Sequence, residues 1–418
     1  MKLSLMLVLV AVASSASAEF FSNERPTGFK IGERMIIRPS VSFSYTYDGN
    51  VDTGRKDLSY SAGSRSHHHH SRRGTSSWSV SPHLTFDYDG GDNWGLNGGV
   101  GYSYSAYQDY NRRLNNHGFS QNLNFHWNDE DDLGRDWAFS FSESYSFVPQ
   151  NDDMSNDGGK GIWRDRQQFN FATSLSKGFT ECLHGGVNGS FNYLKYANDK
   201  SKYGKLWGWD RWTAGANLGY TLTPWTDLQL SGSYSGYIQS NRETEKSDGW
   251  TVQGGFGTRA TEKIHYRVMG GWSHFRYASH ASDGFTYSVS GDWMMGETWH
   301  MMLMASSYYQ PSEREYDASS RNDCLSWGIA HTMVRGALNA TFDIAYRHGN
   351  HQCTANEIDD YDEDFLTFRL GASYSINRYL SVFANGEYQT ETTHKQKEIG
   401  DQYDYDRWRF TVGFSFTY

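Results

Sequence analysis

The sequence predicts an all-β protein, a transmembrane antiparallel up-and-down β-barrel of about 18 strands, with 16 as the alternative. Three observations carry that prediction. From Met35 onward, segments of about ten residues alternate between large apolar and small or polar side chains, the period of a strand with two unlike faces. The connections between those segments alternate between short turns and long polar stretches. Beyond the N-terminal region, no stretch approaches the roughly twenty apolar residues of a spanning helix. A mean hydropathy of −0.73 would at first argue against a membrane protein. A barrel escapes that objection, because only one face of each strand must be apolar. The 43 Gly, 6 Pro and 16% aromatic residues suit long ladders with few interruptions.

Taken in order, the first segment sets Ile37, Pro39, Val41, Phe43, Tyr45 and Tyr47 against Arg38, Ser40, Ser42, Ser44 and Thr46. Trp94, Leu96, Val100, Tyr102 and Tyr104 then oppose Asn97, Gly99, Gly101, Ser103 and Ser105. Leu218, Tyr220 and Leu222 alternate with Asn217, Gly219 and Thr221. Leu338, Ala340, Phe342, Ile344 and Tyr346 alternate with Asn339, Thr341, Asp343, Ala345 and Arg347. Leu366, Phe368, Leu370, Ala372 and Tyr374 alternate with Thr367, Arg369, Gly371, Ser373 and Ser375. The last segment lines up Trp408, Phe410, Val412, Phe414, Phe416 and Tyr418.

Short turns are expected near Gly90–Asn93, Phe179–Leu183, Pro224–Asp227, Thr261–Lys263, Gly296–Thr298, Arg335–Gly336 and Asn377–Arg378, with a longer acidic one at Asn128–Asp136. Long connections fall around Asp48–Ser76, Gln108–Asn116, Asn151–Arg164, Asn198–Asp210, Asn241–Gly249, His280–Gly284, Ser312–Asn322, His351–Asp364 and Glu391–Asp406. Trp94, Trp137 and Trp299 open segments just after short turns, while Trp78, Trp212, Trp250 and Trp408 open segments after long connections. Sorting of Trp to both ends of an apolar band is what an interfacial girdle requires. In hydrocarbon an open sheet edge is excluded, so the first strand must pair with the last. Near 18 strands the interior is too wide for side chains to fill and holds water unless plugged.

The N-terminus reads as a secretory signal. Met1-Lys2 gives a positive start, Leu3 to Ala13 an apolar run, and Ala16-Ser17-Ala18 a small-residue cleavage site. The expected organisation is a signal peptide at 1–18, a periplasmic lead-in at 19–34, and one barrel domain at 35–418.

An opening strand with Pro39 leading to Tyr47-Asp48-Gly49-Asn50-Val51, an even ladder, and a final strand ending on an aromatic resemble bacterial outer-membrane barrels, in particular the Putative β-barrel porin 2 group. The resemblance implies a bacterial outer-membrane barrel, often porin-like and sometimes tied to surface polysaccharide. It also implies a C-terminal assembly signal at Phe414, Phe416 and Tyr418, read by barrel-assembly machinery. Short turns would then be periplasmic and long loops extracellular. No catalytic residue is carried over.

Alternation places a mostly Ser, Thr, Asn and Gly face inward, the lining of an aqueous channel. Arg38, Asp87, Arg259, Arg267, Asp292, Asp343, Arg347, Arg369 and Glu387 are the charged residues assigned to it. Mixed signs at one depth would create a transverse field that sorts solutes by charge. Pairing across strands is the plainer alternative. Glu143, His274 and His331 fall on the lipid-facing register, where charge is costly, so either a bulge shifts the register there or the site is functional, and a register shift is the expectation.

The run His67, His68, His69 and His70 is a weak metal candidate, with incidental low complexity the plainer reading. Asp359, Asp360, Asp362, Glu363 and Asp364 form an acidic loop cluster, lacking the spacing of a helix–loop–helix calcium site. Cys182, Cys324 and Cys353 give no disulfide framework, and a Cys324–Cys353 bridge and unpaired thiols both stay open. A net charge of −10 gives no support to nucleic-acid binding. No Gly-x-Ser-x-Gly elbow occurs, and no enzyme activity or cofactor is expected. The expected role is passive diffusion of small hydrophilic solutes. Polysaccharide export or anchoring, or an adhesive surface role, are the alternatives. Partners would be outer-membrane lipids and lipopolysaccharide, with homo-oligomerisation left open.

Overall fold

The computed structural model describes residues 28–49, 74–91, 93–108, 115–129, 136–152, 162–196, 208–239, 246–277, 280–311, 317–333, 336–353, 360–394 and 405–418. Residues 1–18, expected as a signal peptide, and the four histidines at 67–70 lie outside them. A short β1 (Phe29–Ile31) precedes β2 (Met35–Asp48), β3 (Thr75–Asp89), β4 (Trp94–Tyr107), β5 (Asn116–Asp129), β6 (Trp137–Asp152), β7 (Ile162–Gly178), β8 (Leu183–Tyr196) and β9 (Trp209–Thr223). There follow β10 (Thr226–Gln239), β11 (Lys246–Thr261), β12 (Ile264–Tyr277), β13 (His280–Met295), β14 (Trp299–Pro311), β15 (Asp317–Met333), β16 (Leu338–Cys353), β17 (Tyr361–Ser375), β18 (Leu380–His394) and β19 (Tyr405–Thr417). Each strand from β2 to β19 pairs antiparallel with its sequence neighbour, and β19 pairs with β2. The sheet is a closed 18-stranded barrel with one extra strand.

Closure runs from Arg409↔Asp48 to Thr417↔Ser40. That leaves the lower edge of β2 without a β19 partner. The segment expected as a plain lead-in supplies one: β1 turns back at Gly32 (φ 66°) and pairs Phe29↔Ile37 through Ile31↔Met35. An edge left open near hydrocarbon would strand backbone groups at several kcal/mol each, which is why three residues of weak sequence signal become a strand. Tyr418 extends the seam, its N–H donating to Pro39 O at 3.0 Å, and its ring lies 4.6 Å from Phe29.

The strands run 13 to 17 residues, longer than the expected ten. His280–Gly284, Asp317–Asn322, His351–Cys353, Tyr361–Asp364 and Glu391–His394, expected as loop, are strand. Alternation of apolar residues marks only the lipid-contacting stretch, whereas backbone pairing continues past it. At about 3.3 Å per residue and roughly 40° tilt, even 13 residues rise above a band about 25 Å tall.

Polarity is inverted relative to a soluble protein. Leu370 (62% exposed) and Val187 (57%) stand on the outer face, while Asn322 and Glu363 (both 0%) are enclosed. Exposed apolar residues on one face of every strand need a nonaqueous surround.

Candidate functional site: the lining of the barrel

The nine charged residues expected on the lining share register with one another and oppose the exposed aromatic face. On β2 and β3, Arg38 Nη1 donates to Asp87 Oδ2. On β17 and β18, Arg369 Nε donates to Glu387 Oε2 at 2.7 Å, and Asp343 on β16 is the Cα partner of Arg369. Arg347 Nη2 donates to Glu363 Oε1 at 2.7 Å, and Asp292 pairs with His300. Arg267 lies across from Gly257, and Arg259 across from His265, toward the short-turn end. Both are exposed.

Three of these charges, Arg347, Arg369 and Glu387, belong to clusters that alternation alone does not assemble. Glu387 also faces Arg409 Nη1 at 3.7 Å, and Arg409 Nε lies 3.5 Å from Asp48 Oδ2. Arg407 Nη2 donates to Asp48 Oδ2 at 2.5 Å and Nε to Oδ1 at 3.1 Å. The chain Arg369–Glu387–Arg409–Asp48–Arg407 therefore spans four adjacent strands and crosses the β19–β2 closure. Asp48 and Arg407 fall at the edges of expected loops, yet their parity continues that of Arg38 and Thr411, a signal the sequence does contain.

The opposite wall is aromatic. Near the long-connection end Trp209 and Tyr237 stack at 5.7 Å, and Phe275 and Tyr277 are buried on β12. Arg211 on β9 lies within electrostatic reach of both Tyr237 and Tyr308, although Tyr308 belongs to β14, five strands away. His351, stacked on Tyr361 at 4.6 Å, and Glu363 complete a buried polar cluster on β16 and β17. Along β17 the lining side chains pass from exposed at Ser375, through half-buried at Ser373 and Arg369, to buried at Thr367, Phe365 and Glu363.

Several expectations need correction. The acidic stretch is not one loop cluster: Tyr361–Asp364 is strand, so Asp362 and Asp364 face outward and Glu363 faces the interior. Asp359 lies outside the described residues. Cys324 is the Cα partner of Arg347 and Cys353 of Asp317, about 20 Å apart along the strands, so they cannot bridge. The expected bulges at Glu143, His274 and His331 are absent, and register runs unbroken past all three. His274 and His331 sit instead near the rims, stacked on Trp250 and Trp299 at 6.1 and 3.8 Å. Glu143 does face outward between the rims, accepting from Gln121 Nε2 at 3.2 Å.

Trp78, Trp94, Trp137, Trp212, Trp250, Trp299 and Trp408 all stand on the outward register, at the two ends expected of them. Phe414, Phe416 and Tyr418 are outward and exposed. Among the described residues no three His, Cys, Asp or Glu side chains group so as to hold a metal.

The family model for "Putative beta-barrel porin 2" matches residues 164–417, from β7 to the end of β19. The chain belongs to that family. No curated protein matches the sequence. Among solved structures it is similar to the FrpB iron transporter from Neisseria meningitidis (F3-3 variant), at TM-score 0.50 and 9% identity, over 93% of this chain and 82% of that one. The siderophore receptor PirA from Pseudomonas aeruginosa aligns at TM-score 0.44 and 7% identity, over 94% and 81%. The copper transporter OprC aligns at 0.46 and 9%, over 94% and 81%. At these identities the likeness is one of fold alone.

Proposed function

We propose that the chain is a porin-like channel of the bacterial outer membrane that passes small hydrophilic solutes by diffusion. The observation that carries this reading is a closed ladder with apolar side chains outside and paired polar side chains within. The oily exterior suits lipid, and the short turns and long connections support an orientation with turns in the periplasm and loops outside. The seven outward Trp residues then serve as interfacial girdles, and the terminal aromatics as the assembly signal. The signal peptide would deliver the chain for export. The ionic wall from Arg369 to Arg407 facing the aromatic wall supplies the transverse field through which solutes are sorted. No step of this role needs catalysis.

Planar-bilayer recording of refolded protein tests the proposal. Steady stepwise conductance is the expected result, and a barrel that inserts into liposomes yet stays silent overturns it. Arg211→Ala should raise single-channel conductance, because it removes a long, half-buried side chain from the inward face of β9. A second reading, export or anchoring of surface polysaccharide, is favoured by the inward aromatics Trp209, Tyr237, Phe275 and Phe365, since sugar rings stack on such faces. Co-purification with polysaccharide machinery would support it.

A further inference from the structure

The barrel is closed at every junction, but one junction is not paired over its full height. β13 remains paired with β12 up to Tyr277↔His280, and β14 with β15 up to Pro311↔Ser319. Between β13 and β14, however, pairing stops at Ser288↔Ser306. Above that rung the two strands part. Ser282 Oγ donates to Gln352 Oε1 on β16 at 2.6 Å and lies 3.4 Å from Ser319 Oγ on β15. In a single-layered wall β14 and β15 would separate β13 from β16. Tyr309 OH donates to Asp283 O at 3.1 Å. Ser319 and Ser320 are 2% and 1% exposed, so neighbouring residues on opposite faces of β15 are both covered. The outer end of β13 therefore overlaps the outside of β15 and β16.

Between the layers lies a cleft of about 490 Å³, within the range of small-molecule sites. Asp283, Tyr309, Arg321, Asp323, His348 and Asn350 line it. Arg321, Asp323, His348 and Asn350 share register with the exposed Leu325 and Tyr346, so the cleft opens on the lipid side and not into the lumen. Its charges are largely matched. His274 Nδ1 lies 2.5 Å from Asp283, and Arg321 Nε lies 3.5 Å from Asp323 without a hydrogen bond of its own among the described residues. A free phosphate would meet two carboxylates beside one guanidinium, and an acyl chain would find no apolar lining. A hydroxyl-rich ligand suits a mixture of amides, carboxylates, a guanidinium and a phenol, since each hydroxyl both donates and accepts. The parted strand edges also need polar company, because unpaired backbone groups facing hydrocarbon cost several kcal/mol each.

We propose that this lateral cleft binds the saccharide headgroup of a glycolipid in the outer leaflet. The inference rests on the outer-membrane orientation given above and does not depend on conductance. Its test uses Asn350→Cys in a chain carrying Cys182→Ser, Cys324→Ser and Cys353→Ser. The protein is reconstituted in vesicles of phosphatidylcholine alone, or with phosphatidylglycerol, digalactosyldiacylglycerol or lipopolysaccharide. The rate of labelling by a water-soluble maleimide should fall about fivefold with each of the two sugar lipids, as occupancy near four-fifths requires, and stay unchanged with phosphatidylglycerol. No slowing by either sugar lipid overturns the proposal, and slowing by phosphatidylglycerol to the same degree overturns it in favour of a phosphate site. The unaltered chain offers a second measurement: amide exchange at 281–287 should slow with digalactosyldiacylglycerol, and exchange indifferent to it also overturns the proposal. A silent channel whose cleft is protected would refute diffusion and leave this site standing.

Discussion

The two barrel junctions with the fewest rungs, β19–β2 and β13–β14, end differently. At β19–β2 the chain termini meet. β1 covers the lower edge, Asp48 bridges Arg407 and Arg409 inside, and Phe43–Phe414 and Tyr47–Trp408 stack outside at 5.0 and 4.8 Å. At β13–β14 a tight turn through Gly296 (φ 75°) joins consecutive strands, and Met295↔Trp299 follows at once. Yet the far end parts. Sequence adjacency holds a hairpin only near its turn; eight or more residues away, side-chain contacts decide whether the ladder continues.

The sharpest way to break this comparison is Asp48→Ala. It removes the acceptor shared by two arginines and leaves their charges facing one another, a loss of about 3–5 kcal/mol for a broken buried pair. The urea midpoint of the folded protein in detergent should drop accordingly. Asp283→Ala, at the split, removes the partner of a partly exposed histidine and should cost below about 1 kcal/mol. Equal midpoints for the two variants would mean that the seam is not specially reinforced.

Next in size is the contribution of β1. Lys30→Pro removes an N–H from the rung opposite Ile36 and bars regular pairing there. A loss of about 1–2 kcal/mol is expected locally, read as roughly tenfold faster amide exchange at Met35–Ile37. Unchanged exchange would show that β19 and Tyr418 suffice to hold that edge.

Glu143→Leu should act in the opposite direction. Its carboxylate stands on the outward face with Gln121 as its hydrogen-bond partner, and an acidic residue among lipid chains costs below about 2–4 kcal/mol, the figure for the worst cations. Removing it should stabilise the barrel by about 1 kcal/mol in the same urea titration. Destabilisation would instead indicate that Glu143 is covered by another protein surface.

The ladder, the asymmetry of its connections and the inward register of the nine charged residues were legible in the sequence because a period of two is local. What stayed hidden is what local period cannot encode. Phe29-Lys30-Ile31 is too short to alternate visibly, and only the unmatched edge of β2 gives it a reason to pair. Asp48 and Glu363 lie in the expected long connections, so they read as loop although the backbone ladder carries them, while Arg407 and Arg409 flank Trp408 at the start of the last segment and escape the lining set. Cys324 and Cys353 could meet only as loop residues, and the ladder of β15 with β16 holds them apart. The split between β13 and β14 has no signature in either strand, since it depends on how neighbouring hairpins overlap.

The smallest effects compare the split with the seam directly. Tyr388 OH donates to Asp406 at 3.2 Å beside the seam, and Tyr309 OH donates to Asp283 O at 3.1 Å across the split. Each Tyr→Phe change deletes one exposed hydroxyl bond, so global stability should move by only about 0.5–1 kcal/mol in both. The local outcomes should diverge. Beside Tyr388, the rungs Glu387↔Arg409 and Gln389↔Arg407 persist, and amide exchange in β19 should hardly change. Across the split no ladder remains above Ser288, so Tyr309→Phe leaves the outer end of β13 tied to the inner layer chiefly through Ser282. Exchange at 281–287 should then quicken about fivefold, the kinetic equivalent of roughly 1 kcal/mol released into a segment with few other restraints. Equal quickening at both junctions would mean that β13 is held by its ladder to β12 alone, and that the overlap contributes nothing.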